Sequence, residues 1–342
     1  MKMKITSSKT NRIRFFFVIT VTLLLGFIIN FGMPTESHAK KTYVRFSTAG
    51  TGGTYYPMGG AISSLITKKC DNINVSAETS GGSAENVRLI EQGISDMAWA
   101  NASELYWGWN GIKYFKDKKY RNMRIVARCW SNSYHWLALK RSRIESAEQF
   151  EGQKLTIGPQ GSGAALHGES LLRTLGLWDK VKIVWMPPSA AANALKDKQT
   201  KVFGYFSGIP MAAVLDIQAL NKITLIDVTG PAIAKGFSKE YPFYKKAIIP
   251  AGTYKGQDKD IGIFEQSTYW IVRKDLPDDL VYRMVKKVFS KEGMDYMANA
   301  HKRGTEFSVN GALDGVDALI PVHPGAEKFW KEQGLSVPEI KN

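Results

Sequence analysis

Apolar and polar residues alternate in short stretches along the chain, and apolar residues at helical spacing follow each stretch. The first such unit joins the alternating segment 43–46 to an apolar face formed by Ala61, Ile62, Leu65 and Ile66. Alternation with a period of two predicts a strand, whereas a spacing of three to four residues predicts a helix. The same succession recurs through most of the chain, and strands that alternate with helices are typical of a parallel α/β sheet.

The other predicted strands fall into two groups of similar length. They cover residues 73–79, 96–101, 124–130, 136–140, 154–158, 181–186, 201–206 and 223–228. Beyond residue 231 the pattern is looser, and it ends in helices predicted at 278–290 and 325–334. Two βα runs, followed by a C-terminal part that goes back to the first lobe, predict two α/β lobes with a ligand cleft between them. The boundaries are 40–138 for the first part of lobe 1, 139–248 for lobe 2, and 249–342 for the return to lobe 1 and the C-terminal helices.

Residues 1–39 have the features of a secretory signal peptide. Five basic residues precede an uninterrupted apolar run, FFFVITVTLLLGFII, at 15–29. The sequence Ser37-His38-Ala39 then fits the small-residue rule for signal peptidase, so we expect cleavage after Ala39. The run is shorter than the roughly 20 residues that a membrane span needs. We therefore expect an exported, periplasmic protein, and an uncleaved membrane anchor is the alternative.

Charge and cysteine content narrow the possible partners only slightly. The formal net charge is +15, and it falls to +11 without residues 1–39, which hold five basic residues and one acidic residue. The basic residues are dispersed and no nucleic-acid-binding motif accompanies them, so we expect a small-molecule ligand, no nucleic acid and a monomer. Cys70 and Cys129 can pair in an oxidising compartment, but the sequence leaves a disulfide and two free thiols equally open.

Three Gly-rich turns stand between a predicted strand and a predicted helix. They read STAGTGGTYYP at 47–57, TSGGSAEN at 79–86 and GPQGSGAAL at 158–166. Gly lets the backbone approach a ligand closely, and a helix N-terminus presents unpaired N–H groups with partial positive charge. Ser and Thr hydroxyls add further donors. These features predict an anion site that needs neither Lys nor Arg, and tight βα turns are the purely structural alternative.

Among anions, a carboxylate fits these loops better than a phosphate. The first loop lacks the Lys-Ser/Thr ending of a Walker A motif, which grips phosphate and magnesium. A dinucleotide-type GxGxxG would need Gly at position 55, where the chain has Tyr55. We therefore expect a carboxylate ligand and no cofactor.

Motifs of catalysis are missing from the sequence. Neither a G-x-S-x-G elbow nor an H-E-x-x-H pair occurs. The histidines after residue 39 stand at 135, 167, 301 and 323, without metal-ligand spacing. We therefore expect a binding protein and not an enzyme. An enzyme, a receptor for an inorganic oxyanion and a sensor that serves a receptor kinase stay open as alternatives on the same scaffold.

Five longer segments, spread over almost all of the chain after residue 39, resemble the sequences of a known family. They read TAGTGGTYYPMGGAI, ETSGGSAENVRLIEQGISDMAWA, SAEQFEGQKLTIGPQGSG, YPFYKKAIIPAGTYKGQ and HPGAEKFWKEQGL. In content and order they resemble the TAXI-type solute receptors of TRAP transporters, also described as immunogenic periplasmic proteins. GTGGTYYP and IPAGTYKGQ are the specific part of this resemblance. The stretches 124–136 and 195–210 depart from the family pattern.

The resemblance implies a two-lobed, type II periplasmic-binding-protein fold. Such a receptor captures a small organic acid by hinge closure and delivers it to the membrane subunits of a TRAP permease. Family ligands are mainly glutamate-like compounds and 2-oxo-dicarboxylates. Carried over position by position, the resemblance implies ten ligand-binding residues: Gly53, Thr54, Tyr55, Ser80, Gly81, Asn101, Ser162, Gly163, Ala164 and Ser207.

Overall fold

Strands separated by helices form most of the structure, which is a computed structural model that describes residues 41–116 and 118–340. The predicted signal peptide and its cleavage point after Ala39 lie outside the described residues. The strands are β1 Thr42–Ser47, β2 Ile73–Glu78, β3 Met97–Asn101, β4 Met123–Leu139, β5 Lys154–Thr156, β6 Lys182–Val184, β7 Val202–Ser207, β8 Ile223–Leu225, β9 Lys245–Ile249 and β10 Ile261–Arg273. The α/β class predicted from the alternating pattern is therefore confirmed.

Helices follow most of the strands, and those at 102–110, 229–234, 237–240 and 291–300 were not predicted from the sequence. They are α1 Tyr55–Lys69, α2 Ser83–Glu91, α3 Ala102–Asn110, α4 Gly163–Leu175, α5 Pro188–Lys196, α6 Ala212–Leu220, α7 Thr229–Ala234, α8 Phe237–Glu240, α9 Asp278–Val288, α10 Lys291–Ala300 and α11 Pro324–Glu332. Within the described residues, no helix combines the length and the apolar character that crossing a membrane requires.

The strands form one mixed sheet in the order β2-β1-β3-β10-β4-β7-β5-β6, with β8 added to β4 and β9 added to β10. The parallel triplets β2-β1-β3 and β6-β5-β7 repeat one arrangement on either side of the antiparallel pair β4 and β10. Both strands of this pair are long, and each contacts strands on both sides. The first part of β4 pairs with β10 and its last part pairs with β7 and β8.

Two features of this central pair differ from the sequence-based prediction. Segments 124–130 and 136–140 belong to one strand, β4, and β10 was not predicted at all. Both strands carry polar residues in the middle, such as Asn132 and His135 in β4 and Gln266 and Thr268 in β10. All four of these side chains are buried. Buried polar residues interrupt the apolar pattern on which the prediction depends.

A cluster of aromatic rings anchors α1 to the sheet. The ring of Trp99 on β3 lies 4.7 Å from Phe46 on β1 and 4.8 Å from Trp130 on β4, measured between ring centroids. Tyr55, the first residue of α1, packs edge-on against Trp130 at 5.8 Å. The Trp99 indole N–H also donates to the Tyr55 carbonyl at 3.1 Å. Large buried aromatic rings dominate core energetics, so this cluster fixes the start of α1.

The two cysteines are free thiols in this structure. Cys70 at the end of α1 is half-buried, whereas Cys129 on β4 is fully buried. Burial raises the pKa of the Cys129 thiol well above its usual value because the apolar core disfavours the thiolate. The sequence left open a disulfide between Cys70 and Cys129 or two free thiols, and the structure contains two free thiols.

Candidate ligand-binding site

A polar pocket lies at the carboxyl ends of β1, β3 and β7, beside the first residues of α1, α2 and α4. Its volume is about 340 Å³, part of which is open to solvent. The lining residues come from both strand triplets and from β4: Ala49, Gly53, Thr54, Tyr55, Gly81, Gly82, Ser83, Asn101, Asn132, Ala164, Tyr205, Phe206 and Ser207. The carboxyl ends of parallel strands are the usual ligand sites of open α/β sheets, so this pocket is the candidate site.

Thr54 and Ser207 join the two strand triplets across the pocket. Thr54 follows β1, and its backbone N–H donates to the Ser207 hydroxyl oxygen at 2.9 Å. The two hydroxyl oxygens lie 3.0 Å apart. The backbone N–H of Gly208 donates to Thr54 Oγ1 at 3.0 Å. Thr54 therefore makes three buried hydrogen bonds to residues more than 150 positions away in sequence, two with Ser207 and one with Gly208.

The opposite wall is a network of neutral side chains centred on Asn101. The Tyr55 hydroxyl donates to Asn101 Oδ1 at 2.7 Å, and the Thr268 hydroxyl and the Asn132 amide donate to the same oxygen. Asn101 Nδ2 donates in turn to Ser83 Oγ at 2.8 Å. Burial raises the pKa of Tyr55 far above its usual value, so the phenol stays protonated. A fully bonded network of this kind holds its groups in fixed positions.

Seven of the ten residues predicted from the sequence line this one pocket. They are Gly53, Thr54, Tyr55, Gly81, Asn101, Ala164 and Ser207. The three others, Ser80, Ser162 and Gly163, lie beside the pocket without lining it. The structure therefore brings seven of the predicted positions together around one pocket, and their role in ligand binding stays a prediction.

Each of the three residues outside the lining has a structural partner. Ser80 Oγ donates to a neighbouring carbonyl at 3.0 Å and supports the second Gly-rich loop. Ser162 caps α4, because its hydroxyl accepts the backbone N–H of Ala165 at 3.1 Å. Gly163 permits close packing, since a Cβ added there would lie 3.1 Å from the Cβ of Ser83. These roles are the structural alternative that the sequence already allowed.

Several N–H groups of the Gly-rich loops bond to the protein itself. The Thr54 N–H donates to Ser207, the Gly81 N–H donates to the Glu85 carboxylate at 2.8 Å, and the Gly82 N–H donates to Ser80 Oγ at 3.0 Å. Gly82 has a φ of +93°, a conformation that favours glycine and lets this turn form. The polar character of the pocket therefore comes largely from hydroxyl and amide side chains.

Sequence reasoning missed six of the lining residues: Ala49, Gly82, Ser83, Asn132, Tyr205 and Phe206. Ser83 and Gly82 adjoin predicted positions in the second loop. Asn132, by contrast, lies in the middle of β4, where the sequence SNS interrupts an apolar strand. Polar residues inside an apolar strand are the signal that could have identified it.

None of the lining residues, all within the described part of the chain, is charged. Behind Asn101, however, Glu104 of α3 and His167 of α4 are both fully buried, with Oε1 and Nε2 3.2 Å apart. Burial raises the pKa of Glu104 to about 7 and lowers that of His167 to about 3. Residues 41–116 and 118–340 contain no group of three or more His, Cys, Asp or Glu placed to hold a metal ion.

The repeated strand order around a shared antiparallel pair, with a polar pocket at the strand ends, defines a protein with the type II periplasmic-binding-protein fold. A family model described as the NMT1-like family matches residues 46–334, and the chain belongs to that family.

Solved structures with similar folds come from several bacteria. A protein of Bordetella bronchiseptica RB50 is 12% identical with a TM-score of 0.51, over 86% of this chain and 99% of that one. A binding protein component of a phosphonate ABC transporter from Pseudomonas aeruginosa is 12% identical with a TM-score of 0.48, over 79% and 80% of the two chains. A putative L-cystine ABC transporter from Listeria monocytogenes is 13% identical with a TM-score of 0.47, over 79% and 98%.

Proposed function

We propose that the protein is an exported solute-binding receptor that captures a small carboxylate in this pocket and passes it to a TRAP membrane permease. The observation that carries the proposal is the pocket itself, which both strand triplets line and which the Thr54–Ser207 pair bridges. A site built from two halves of a chain can close around a ligand and release it again.

The chemistry of the lining favours a carboxylate. Thr54, Tyr55, Ser83 and Ser207, which carry hydroxyl groups, line the pocket, and no acidic residue is among the lining residues to repel an anion. The helices α1 and α2 begin at Tyr55 and Ser83, so the positive ends of two helix dipoles adjoin the site. Together with the TAXI resemblance, this favours a glutamate-like compound or a 2-oxo-dicarboxylate.

Hinge closure is the proposed mode of capture. The hinge is the pair β4 and β10, because these two strands contact strands on both sides of the sheet. The proposed lobes are 40–138 with 249–342, and 139–248. Closure is favoured only by contacts that the ligand makes in the closed form and not in the open form.

The remaining parts of the proposal rest on the sequence. The basic and apolar segments of residues 1–39 favour export to the periplasm. The exported protein is proposed to be a monomer. The TAXI resemblance favours the membrane subunits of a TRAP permease as the partner. The absence of catalytic motifs from the sequence favours a receptor over an enzyme.

Thermal unfolding of the chain from residue 40 onward tests the ligand class. The panel holds glutamate, glutamine, 2-oxoglutarate, C4-dicarboxylates, phosphate, sulfate and sugars. A ligand that binds only the folded state stabilises it by about 4 kcal/mol at a thousandfold excess over Kd. We expect stabilisation by one organic acid that the protein leaves chemically unchanged. Stabilisation by phosphate or sulfate alone contradicts the carboxylate proposal, and turnover of the acid contradicts the receptor proposal.

Uptake into membrane vesicles tests the delivery step separately. Vesicles that contain TRAP membrane subunits from the same genome should accumulate the labelled acid only when the receptor is added. Binding without any stimulation of uptake would contradict the transport role and would favour a sensor.

A further inference from the structure

A pair of buried ionisable side chains stands directly behind the pocket residue Asn101. Glu104 belongs to α3 and His167 to α4, so the contact joins an element that follows β3 to an element that follows β5. The Glu104 Oε1 and His167 Nε2 atoms are 3.2 Å apart, and both side chains are inaccessible to solvent. Asn101 Nδ2 lies 3.3 Å from the same Nε2 atom.

The asparagine amide restricts where the proton on His167 can be. Asn101 Nδ2 carries only hydrogens and can only donate, so Nε2 must offer a lone pair to accept from it. The neutral imidazole then carries its hydrogen on Nδ1, which faces the hydroxyl of Tyr244. In this tautomer the Tyr244 oxygen accepts the hydrogen bond from His167.

The contacts of the Glu104 carboxyl group agree with a protonated carboxyl beside an unprotonated His167 Nε2. Its Oε2 atom accepts a hydrogen bond from Ser103 Oγ at 3.1 Å. Its Oε1 atom is buried and accepts no hydrogen bond, although it adjoins the lone pair of His167 Nε2. A proton on Oε1 converts this contact from repulsion between lone pairs into an O–H···N hydrogen bond, in which the single lone pair of Nε2 is shared between the Glu104 O–H and the Asn101 N–H.

The surroundings contain no charge that would favour an ion pair. The ionisable groups that face the two side chains are Tyr55 from α1 and Tyr244 from the segment before β9, and burial raises the pKa of both phenols. From β10, the Gln266 Nε2 atom, which can only donate, lies 3.5 Å from His167 Nδ1, the outer limit of a hydrogen bond and farther than Asn101 Nδ2 lies from Nε2. The nearer Tyr244 hydroxyl is therefore the partner of the Nδ1 hydrogen. The Phe206 ring covers the imidazole face at 4.3 Å. Two isolated charges would be strongly disfavoured in such a site.

We infer that Glu104 and His167 hold one proton between them, on the Glu104 carboxyl, and that this proton positions the Asn101 side chain for the ligand. The inference deepens the proposed function and rests on it for the role of Asn101 in binding. When Glu104 ionises, the proton on the imidazole moves to Nε2 to donate to the carboxylate. The Asn101 N–H that points at Nε2 then faces an N–H and loses His167 as its acceptor, while Asn101 Nδ2 still donates to Ser83 Oγ.

The shared proton has a specific consequence for stability. Near pH 5.5, midway between the ordinary pKa values of 4.5 for Glu104 and 6.5 for His167, the unfolded chain holds about one proton on the pair, mainly on His167. The folded chain also holds one, on Glu104. The pair therefore contributes little pH dependence near pH 5.5, because the slope of stability with pH is set by the difference in bound protons.

When either partner is removed, the remaining partner makes the free energy of unfolding depend on pH. With Glu104→Gln, the unfolded state binds one more proton, so the unfolding constant falls about tenfold per pH unit as the pH rises. With His167→Gln, the folded state binds one more, so the unfolding constant rises about tenfold per pH unit. Both slopes are measured relative to wild type by urea unfolding between about pH 5 and 6. The exposed Glu151→Gln serves as control and should keep the wild-type slope.

Nitrogen-15 NMR of the unmodified protein locates the proton and needs no variant to fold. We expect a neutral His167 with Nδ1–H at pH 5.5. The Asn101 side-chain amide signal should shift as the pH passes through about 7, the pKa of Glu104. In Glu104→Gln this shift should be absent.

Three outcomes overturn the inference: an imidazolium or an Nε2–H tautomer at pH 5.5, variants with the wild-type slope, or an Asn101 signal that shifts identically in Glu104→Gln. None of these measurements involves a ligand. A failure of the receptor proposal in the ligand panel therefore leaves the proton pair intact, and a failure here leaves the ligand panel intact.

Discussion

The substitution Thr54→Val removes the hydroxyl that links the two strand triplets but keeps the branched shape of the side chain. Two of the three hydrogen bonds at this point use Thr54 Oγ1, one with the Ser207 hydroxyl and one from the Gly208 N–H, both at 3.0 Å. The valine leaves the buried Gly208 N–H without an acceptor, while Ser207 still accepts the backbone N–H of residue 54. A buried unsatisfied donor costs about 1–3 kcal/mol, and we expect the free energy of unfolding to fall by that amount.

Urea unfolding with an unchanged m-value measures this loss. The exposed Thr305→Val is the matched control and should stay within about 0.5 kcal/mol of wild type. A double-mutant cycle with Ser207→Ala should give a coupling energy of about 0.5–1.5 kcal/mol, since both changes remove the same hydroxyl contact. A loss below 0.5 kcal/mol together with additive effects would refute the bridging role of Thr54.

Three further predictions concern the surroundings of the pocket. Ser162→Ala removes the cap of α4 and should lower the free energy of unfolding by about 1 kcal/mol without changing ligand affinity, as urea unfolding and calorimetry can show. Gly204→Ala places a Cβ 2.5 Å from the ring of Trp136 and should cost about 1–3 kcal/mol in the same unfolding assay. In thiol titration with a disulfide reagent, the half-buried Cys70 should react in the folded protein and the buried Cys129 only after unfolding; a disulfide would leave neither thiol reactive.

The sequence predicts the parts of the site in which local pattern and chemistry agree. The first two Gly-rich loops combine turn residues with hydroxyl groups next to a periodic helix, and residues such as Thr54 and Gly81 could therefore be placed at the pocket. Asn101 and the other individual site positions were implied by the resemblance to the TAXI-type receptors. The loops themselves need only short-range information to be recognised.

The parts that the sequence does not predict depend on contacts between distant segments. Asn101 bonds to Thr268, 167 residues away, and Thr268 lies in a strand whose polar middle hides its own periodicity. The pairing of Glu104 with His167 likewise depends on two helices that only the folded sheet brings together. A polar side chain is buried at low cost only when such partners exist, and a linear pattern cannot show them.

Calorimetric titration of carboxylates into two glycine variants tests most directly whether this pocket binds the ligand. A Cβ at the pocket residue Gly53, in the loop before α1, makes ordinary contacts, 3.6 Å from Ser207 Oγ, whereas a Cβ at Gly60 within α1 meets nothing within 4 Å. We predict that wild type and Gly60→Leu bind glutamate or a 2-oxo-dicarboxylate equally well, and that Gly53→Leu binds at least about a hundredfold more weakly, a loss of about 2.7 kcal/mol. Equal affinity of Gly53→Leu and wild type, or no binding of any carboxylate by wild type, would contradict the account.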